Sequence, residues 1–171
     1  MKKGVHYEAA FESYLREQGW PYVAVNERRR AIDGVDKLKS FDFVVYSDGP
    51  AAWLVDVKGR KFPYVCDSGV HYWENWVTAD DLVDLLRWED VFGPGYTACF
   101  IFAYWLTIPL ETEIPFLFTF KERDYFFACI SAQQYRRHAR QRSDRWETLS
   151  LRRKDFKRLA YPLQQRNQAK R

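Results

Sequence analysis

"SFDFVVYSDGPAAWLVDVKGR", residues 40–60, holds two apolar runs joined by Ser-Asp-Gly-Pro, a pattern that predicts a β-hairpin with strands near 41–47 and 52–59. Asp42 interrupts the first run, and Asp56 and Lys58 interrupt the second. A charge taken out of water costs several kcal/mol unless it is paired or holds a metal, so these three residues need partners. Side chains at i and i+2 of a strand share a face. Asp56 and Lys58 therefore point the same way, with Leu54 and Arg60, while Trp53, Val55 and Val57 point the other. Asp42, on the neighbouring strand, can lie across from Asp56, and two converging carboxylates repel each other unless a cation sits between them.

That arrangement suits a hard divalent cation. Mg²⁺, or Mn²⁺ in its place, takes oxygen ligands and keeps several waters. Asp42, Asp56, a strand carbonyl such as that of Val57 and a substrate phosphate would make a sufficient set. Phosphodiester hydrolysis needs an oriented water and stabilisation of the charge that develops on the phosphate. Lys58 beside the carboxylates suits the second task. An ordinary lysine is a poor base at neutral pH, so its ammonium is expected to position groups rather than abstract a proton.

Around this hairpin the sequence predicts one domain of mixed α/β class. The chain has 171 residues, 47% hydrophobic and 18% aromatic, enough for a packed core, and its 29% charged residues suit a soluble surface. No apolar run approaches the roughly 18 residues that span a bilayer. The opening stretch carries Glu8 and Glu12 where a secretion signal would be apolar, so a cytoplasmic protein with no membrane partner is expected. Cys66, Cys99 and Cys129 are odd in number and lack a Cys-x-x-Cys pair, and they read as reduced core residues.

Tyr7, Ala10, Phe11, Tyr14 and Leu15 repeat at helical spacing and predict a helix over 5–18 that stops at Gly19. A strand from Pro21 follows, then the hairpin. Thr78 can cap a second helix, "TADDLVDLLRWEDVFG", with two aspartates in its first turn. "YTACFIFAYWLTI" predicts a central strand, "FLFTF" with "YFFACI" a further hairpin, and Ser131 the start of a short basic helix. The core is expected over 1–130, with 131–171 a basic helical extension packed on the same domain. On the first helix, Glu8 borders the apolar stripe whereas Glu12 lies farther toward solvent. Glu8 is thus the carboxylate better placed to join the site, or else an ordinary surface residue near a positive helix end.

Charge is distributed unevenly. Residues 1–120 hold 12 Lys/Arg against 18 Asp/Glu, and residues 121–171 hold 15 against 5. Arginines among aromatics in the last third suit phosphate backbones and base stacking, and equally a solvated helix face. Arg136, Arg137 and Arg140 there, with Arg29, Arg30, Arg60 and Lys61 nearer the hairpin, are the candidate nucleic-acid contacts. Tyr72, Trp73 and Trp76 can stack bases or cap the core.

The order of Glu8, "EAAFESYLREQGW", "NERR", Asp42 and "LVDVKGR" resembles the PD-(D/E)XK nuclease superfamily, with its restriction-endonuclease-like fold, and is similar in layout to archaeal Holliday junction resolvases and small RecB-type nucleases. The likeness spans residues 4–60. Phe41 stands where a proline usually precedes the first Asp, and Asp56 replaces the more frequent Glu. The resemblance implies a three-layer core in the order αβββαβ, followed by a hairpin and basic helices. It implies a metal-dependent endonuclease in which Glu8, Asp42, Asp56 and Lys58 are catalytic and Glu8, Asp42, Asp56 and the Val57 carbonyl hold Mg²⁺ or Mn²⁺. DNA is the favoured substrate, with RNA open, and a homodimer is compatible with it. Two other classes fit the same residues: a nucleic-acid-binding or interaction protein that keeps the fold without cleavage, and a scaffold in which Asp42, Asp56 and Lys58 form a buried ion network.

Overall fold

The computed structural model describes residues 5–25, 38–65, 71–108 and 116–164. In chain order these form α1 (Val5–Gln18), β1 (Tyr22–Ala24), β2 (Phe43–Val45), β3 (Ala52–Phe62), β4 (Tyr64–Val65), β5 (His71–Tyr72), β6 (Val77–Thr78) and α2 (Ala79–Phe92). There follow β7 (Tyr96–Leu106), β8 (Phe118–Phe120), β9 (Arg123–Ser131), α3 (Ala132–His138), β10 (Arg140–Ser143), β11 (Thr148–Ser150), α4 (Arg153–Leu159) and β12 (Tyr161–Pro162).

The hairpin forms as its turn residues direct, with Phe43 paired to Val55 and Val45 to Trp53. On its other side β3 pairs in parallel with β7 from Ala52 and Tyr96 to Phe62 and Leu106. A parallel pair needs a crossover, and α2 supplies it. β7 pairs antiparallel with β9, giving a mixed sheet in the order β1-β2-β3-β7-β9-β12, with β8 also on β9.

Two apolar clusters sandwich this sheet. On one face Ala10, Phe11, Tyr14 and Leu15 of α1 pack with Val45, Val55, Val57 and Ile101. On the other, Leu82, Leu85 and Leu86 of α2 pack with Leu54, Phe100, Phe102 and Tyr135 of α3. Leu54 and Val55 are both fully buried on opposite faces, so the even-numbered positions of β3 face α2 and the odd-numbered ones face α1. Asp56, Lys58 and Arg60 thus enter the layer between the sheet and α2. Gly59 faces α1 so closely that a Cβ there would lie 2.2 Å from the Tyr7 ring.

The C-terminal segment is less helical than its composition suggests. Ser131 caps α3, its hydroxyl accepting from the Gln134 amide. Arg140 then begins a strand, because β10 and β11 pair with each other and β11 pairs with β6. β12 returns to the central sheet, setting Tyr161 beside Cys129. Cys99 and Cys129 are buried free thiols, and Cys66 lies outside the described residues. Among the described residues no helix is long and apolar enough to cross a membrane.

Candidate active site

Asp42 precedes β2 where the hairpin ladder ends. Its amide donates to the Val55 carbonyl at 2.8 Å, and its carbonyl accepts from the Val25 amide at 2.9 Å. The next donor along β3 is the Val57 amide, which donates to Asp42 Oδ2 at 2.6 Å. The side chain therefore takes the place of a missing strand. Because the N–H and C=O of a residue point to the same side of a strand, the Val57 carbonyl also faces the Asp42 side.

Asp56 and Lys58 adjoin each other on the α2 face, with Lys58 Nζ 2.8 Å from Asp56 Oδ2. The same ammonium lies 2.9 Å from Asp81 Oδ2, in the first turn of α2. Asp81 is placed by a capping box. Its amide donates to Thr78 Oγ1 at 3.1 Å, and its carboxylate accepts from the Thr78 amide. Lys39 Nζ reaches Asp81 Oδ1 at 3.1 Å, and its backbone amide donates to Asp84. A cavity of about 10 Å³, the size of a single water, opens among Lys39, Ser40, Asp56, Asp81 and Asp84.

These partners divide the carboxylates into two kinds. Burial would raise Asp81, but Lys58, Lys39 and the Thr78 side chain outweigh it and hold its pKa down to about 2. Burial raises Asp56 to about 6 despite Lys58. Burial raises Asp42 to about 8, with repulsion from Asp56 and Glu8 adding to it and the Val57 amide opposing it. Glu8 is exposed on α1 and acts on Asp42 through its charge. Glu12 is occupied elsewhere, accepting from Tyr22 Oη at 2.7 Å and pairing with Arg16 at 2.5 Å.

Asp42, Asp56 and Lys58 come together at the end of the β2–β3 ladder, and the charge of Glu8 on α1 reaches Asp42. Among the described residues no three His, Cys, Asp or Glu side chains form a ready metal cage. The donors do fit a cation that keeps most of its waters, since Mg²⁺ is typically held by one or two protein carboxylates. Asp42 and Asp56 each have their charged form disfavoured by burial, and Asp42 also by Asp56, which is the condition a bound cation relieves. Asp81 and Lys39 escaped the sequence reading. The signal for Asp81 was its place three residues after the cap Thr78.

The candidate nucleic-acid residues divide more sharply. Arg60 is 9% exposed, donates to the Gly59 carbonyl at 2.8 Å and to the Trp76 carbonyl, and stacks 4.1 Å from the Trp76 ring. Its inward position on β3 puts it out of reach of a phosphate in solvent. It fastens the segment that leads into α2. Lys61 is exposed on the α1 side, its ammonium 5.5 Å from the Trp105 ring. Arg136 and Arg137 are exposed on α3, and Arg140 is exposed at the start of β10. Arg28, Arg29 and Arg30 lie outside the described residues. Trp73 stacks on Phe62 at 3.7 Å and belongs to the core rim.

The central mixed sheet flanked by helices on both faces matches the restriction-endonuclease-like fold. No family model matches the chain, and no curated protein matches it. Among solved structures it is similar to Hjc, a Holliday junction resolvase from the archaeal hyperthermophile Archaeoglobus fulgidus, with a TM-score of 0.51 at 15% identity over 95% of this chain and 92% of that one.

Proposed function

We propose that the protein is a divalent-metal-dependent endonuclease that hydrolyses phosphodiester bonds in DNA. The observation that carries this reading is the pair of largely enclosed carboxylates Asp42 and Asp56, the charge of Asp56 repelling that of Asp42, beside the ammonium of Lys58. The similarity in fold to a Holliday junction resolvase supports it.

Asp42, Asp56 and the Val57 carbonyl would hold Mg²⁺ or Mn²⁺, with Glu8 joining from α1. When bound, the cation supplies Lewis-acid activation of the phosphate and of a water. The chain's own residues do the rest. Asp42 holds the Val57 amide and so fixes its carbonyl direction. Asp56 and Asp81 fix the Lys58 ammonium, which stays charged and would stabilise negative charge building on a phosphate bound beside Asp56. The alternative of a solely structural ion network is weakened by Asp42, whose carboxylate accepts from the Val57 amide and, among the described residues, forms no ion pair.

The test is incubation with single-stranded, duplex and branched DNA and RNA, with and without Mg²⁺ or Mn²⁺, beside Asp56→Ala. Cleavage that needs the cation and is lost in Asp56→Ala is expected. Equal cation binding by Asp56→Ala and wild type in titration calorimetry would overturn the assignment.

A further inference from the structure

The β10–β11 hairpin is joined to the strand and helix start that carry Asp81, although its sequence lies some sixty residues from α2. Thr148 and Leu149 of β11 pair with Thr78 and Val77 of β6. At the hairpin tip the Ala79 amide, in the first turn of α2, donates to the Glu147 carbonyl at 2.8 Å. Thr78 and Asp81 on either side of Ala79 form the capping box that holds Asp81 against Lys58. Glu147 adopts φ 44°, a left-handed conformation that turns its carbonyl toward α2. The base of the hairpin is anchored equally firmly. Tyr135 Oη donates to the Leu149 carbonyl at 2.9 Å, and the Leu151 amide donates to Asn75 Oδ1 at 2.8 Å.

This anchored tip holds out Trp146, which is 67% exposed, more than any other large hydrophobic side chain among the described residues. Tight hairpin turns favour Asn, Asp and Gly, and nothing in this turn requires an indole. The Arg145 guanidinium lies 5.1 Å from the Trp146 ring. Arg140 and Arg142 line the same hairpin, and Arg142 sits 5.3 Å from the Trp76 ring. An exposed indole among arginines, on a hydrogen-bonded hairpin paired to β6, matches the two elements of single-strand binding: an aromatic platform for a base and cations for the backbone beside it.

Resting on the nuclease reading above, we infer that this hairpin is a base-stacking element, with Trp146 receiving an unpaired base next to the cleavage position while Arg145 and Arg140 hold the flanking phosphates. The substrate class it selects is nucleic acid with a boundary between single strand and duplex. In a fully paired duplex every internal base is already stacked on both faces and held in a pair, so none along the helix is free for Trp146.

The test is binding without divalent cations, which separates it from catalysis. The probes are a duplex with a short single-stranded overhang, carrying 2-aminopurine at the first unpaired position, and a fully paired duplex of the same length. Wild type should quench the 2-aminopurine fluorescence and bind the overhang about tenfold more tightly than the paired duplex. Trp146→Ala, folded by thermal melting, should lose both the quench and the preference, and Trp146→Phe should keep most of each. Arg145→Gln should weaken both probes and reduce the salt dependence. Wild-type quenching and preference in Trp146→Ala would overturn the stacking role while leaving the nuclease reading intact. Failure of wild type to bind either probe would overturn both.

Discussion

Lys58 Nζ lies 2.9 Å from Asp81 Oδ2, joining the central strand of the sheet to the first turn of α2 across 23 residues of sequence. This bond couples Lys58, the lysine of the candidate site, to the start of a helix. The capping box that orients Asp81 therefore also orients Lys58, and under the proposed nuclease function Thr78 and Asp81 would be positioning residues.

Lys58→Met keeps the stem and removes the ammonium, leaving Asp56 and Asp81 without their shared cation. Breaking a buried pair in this way is expected to destabilise the metal-free protein by about 3 kcal/mol. Cleavage should fall about 10²- to 10³-fold, the scale of a lost charge-stabilising group. Thermal melting with and without Mg²⁺, together with single-turnover cleavage, checks both, and added Mg²⁺ should recover part of the lost stability. Arg should rescue poorly, because a planar fork cannot fill the place of a compact ammonium between two carboxylates.

The raised pKa values of Asp42 and Asp56 make stability depend on pH. Their ordinary value is 3.8, and the folded protein raises them to about 8 and about 6. Between the two values the folded state holds a proton that the unfolded state has lost, so stability is greatest at the acid end and falls as pH rises through that window. Asp81 has the opposite sign, and its contribution is lost as pH falls from 3.8 toward 2. The metal-free melting temperature should therefore drop between about pH 5 and about pH 8. Asp42→Asn should flatten this slope and melt higher than wild type at the alkaline end, while losing cleavage. A differential scanning series over pH, with EDTA, checks it.

Gly59→Ala tests how closely α1 is held to the site. The added Cβ would lie 2.2 Å from Tyr7 Cδ2 and 2.4 Å from Cγ, near the root of the ring, so the ring and its helix must shift. A loss of about 1–3 kcal/mol is expected from such overpacking. Glu8 follows Tyr7 directly, and cleavage should fall more steeply than stability. Melting and cleavage assays on the same preparation separate the two effects.

Replacing Arg136, Arg137 and Arg140 together by Gln should reduce the slope of log affinity against log salt by about 0.9 for each duplex phosphate contact removed. All three are exposed, so folding should be unaffected. The concentration of DNA needed for cleavage should rise, while the rate at saturation stays near that of wild type. Anisotropy titrations at several salt concentrations, with a saturating cleavage assay, check it.

Much of this was legible in residues 40–60 and 5–18. Period-two alternation and a Ser-Asp-Gly-Pro turn specify the hairpin, and they also specify that Asp56, Lys58 and Arg60 share a face, because strand geometry alone fixes i and i+2. Helical spacing and Gly19 fix α1 and the side of it on which Glu8 stands. What lies across from a face is a long-range matter. Only the crossover of α2 brings Asp81 onto Lys58, only the packed layer beneath that helix buries Arg60 against Trp76, and only the pairing of β11 with β6 carries Trp146 to the start of α2. Local sequence determines conformation over a few residues. The partners of a buried charge are chosen by whichever distant segment closes over it, and that choice is made when the two faces of the sheet are covered.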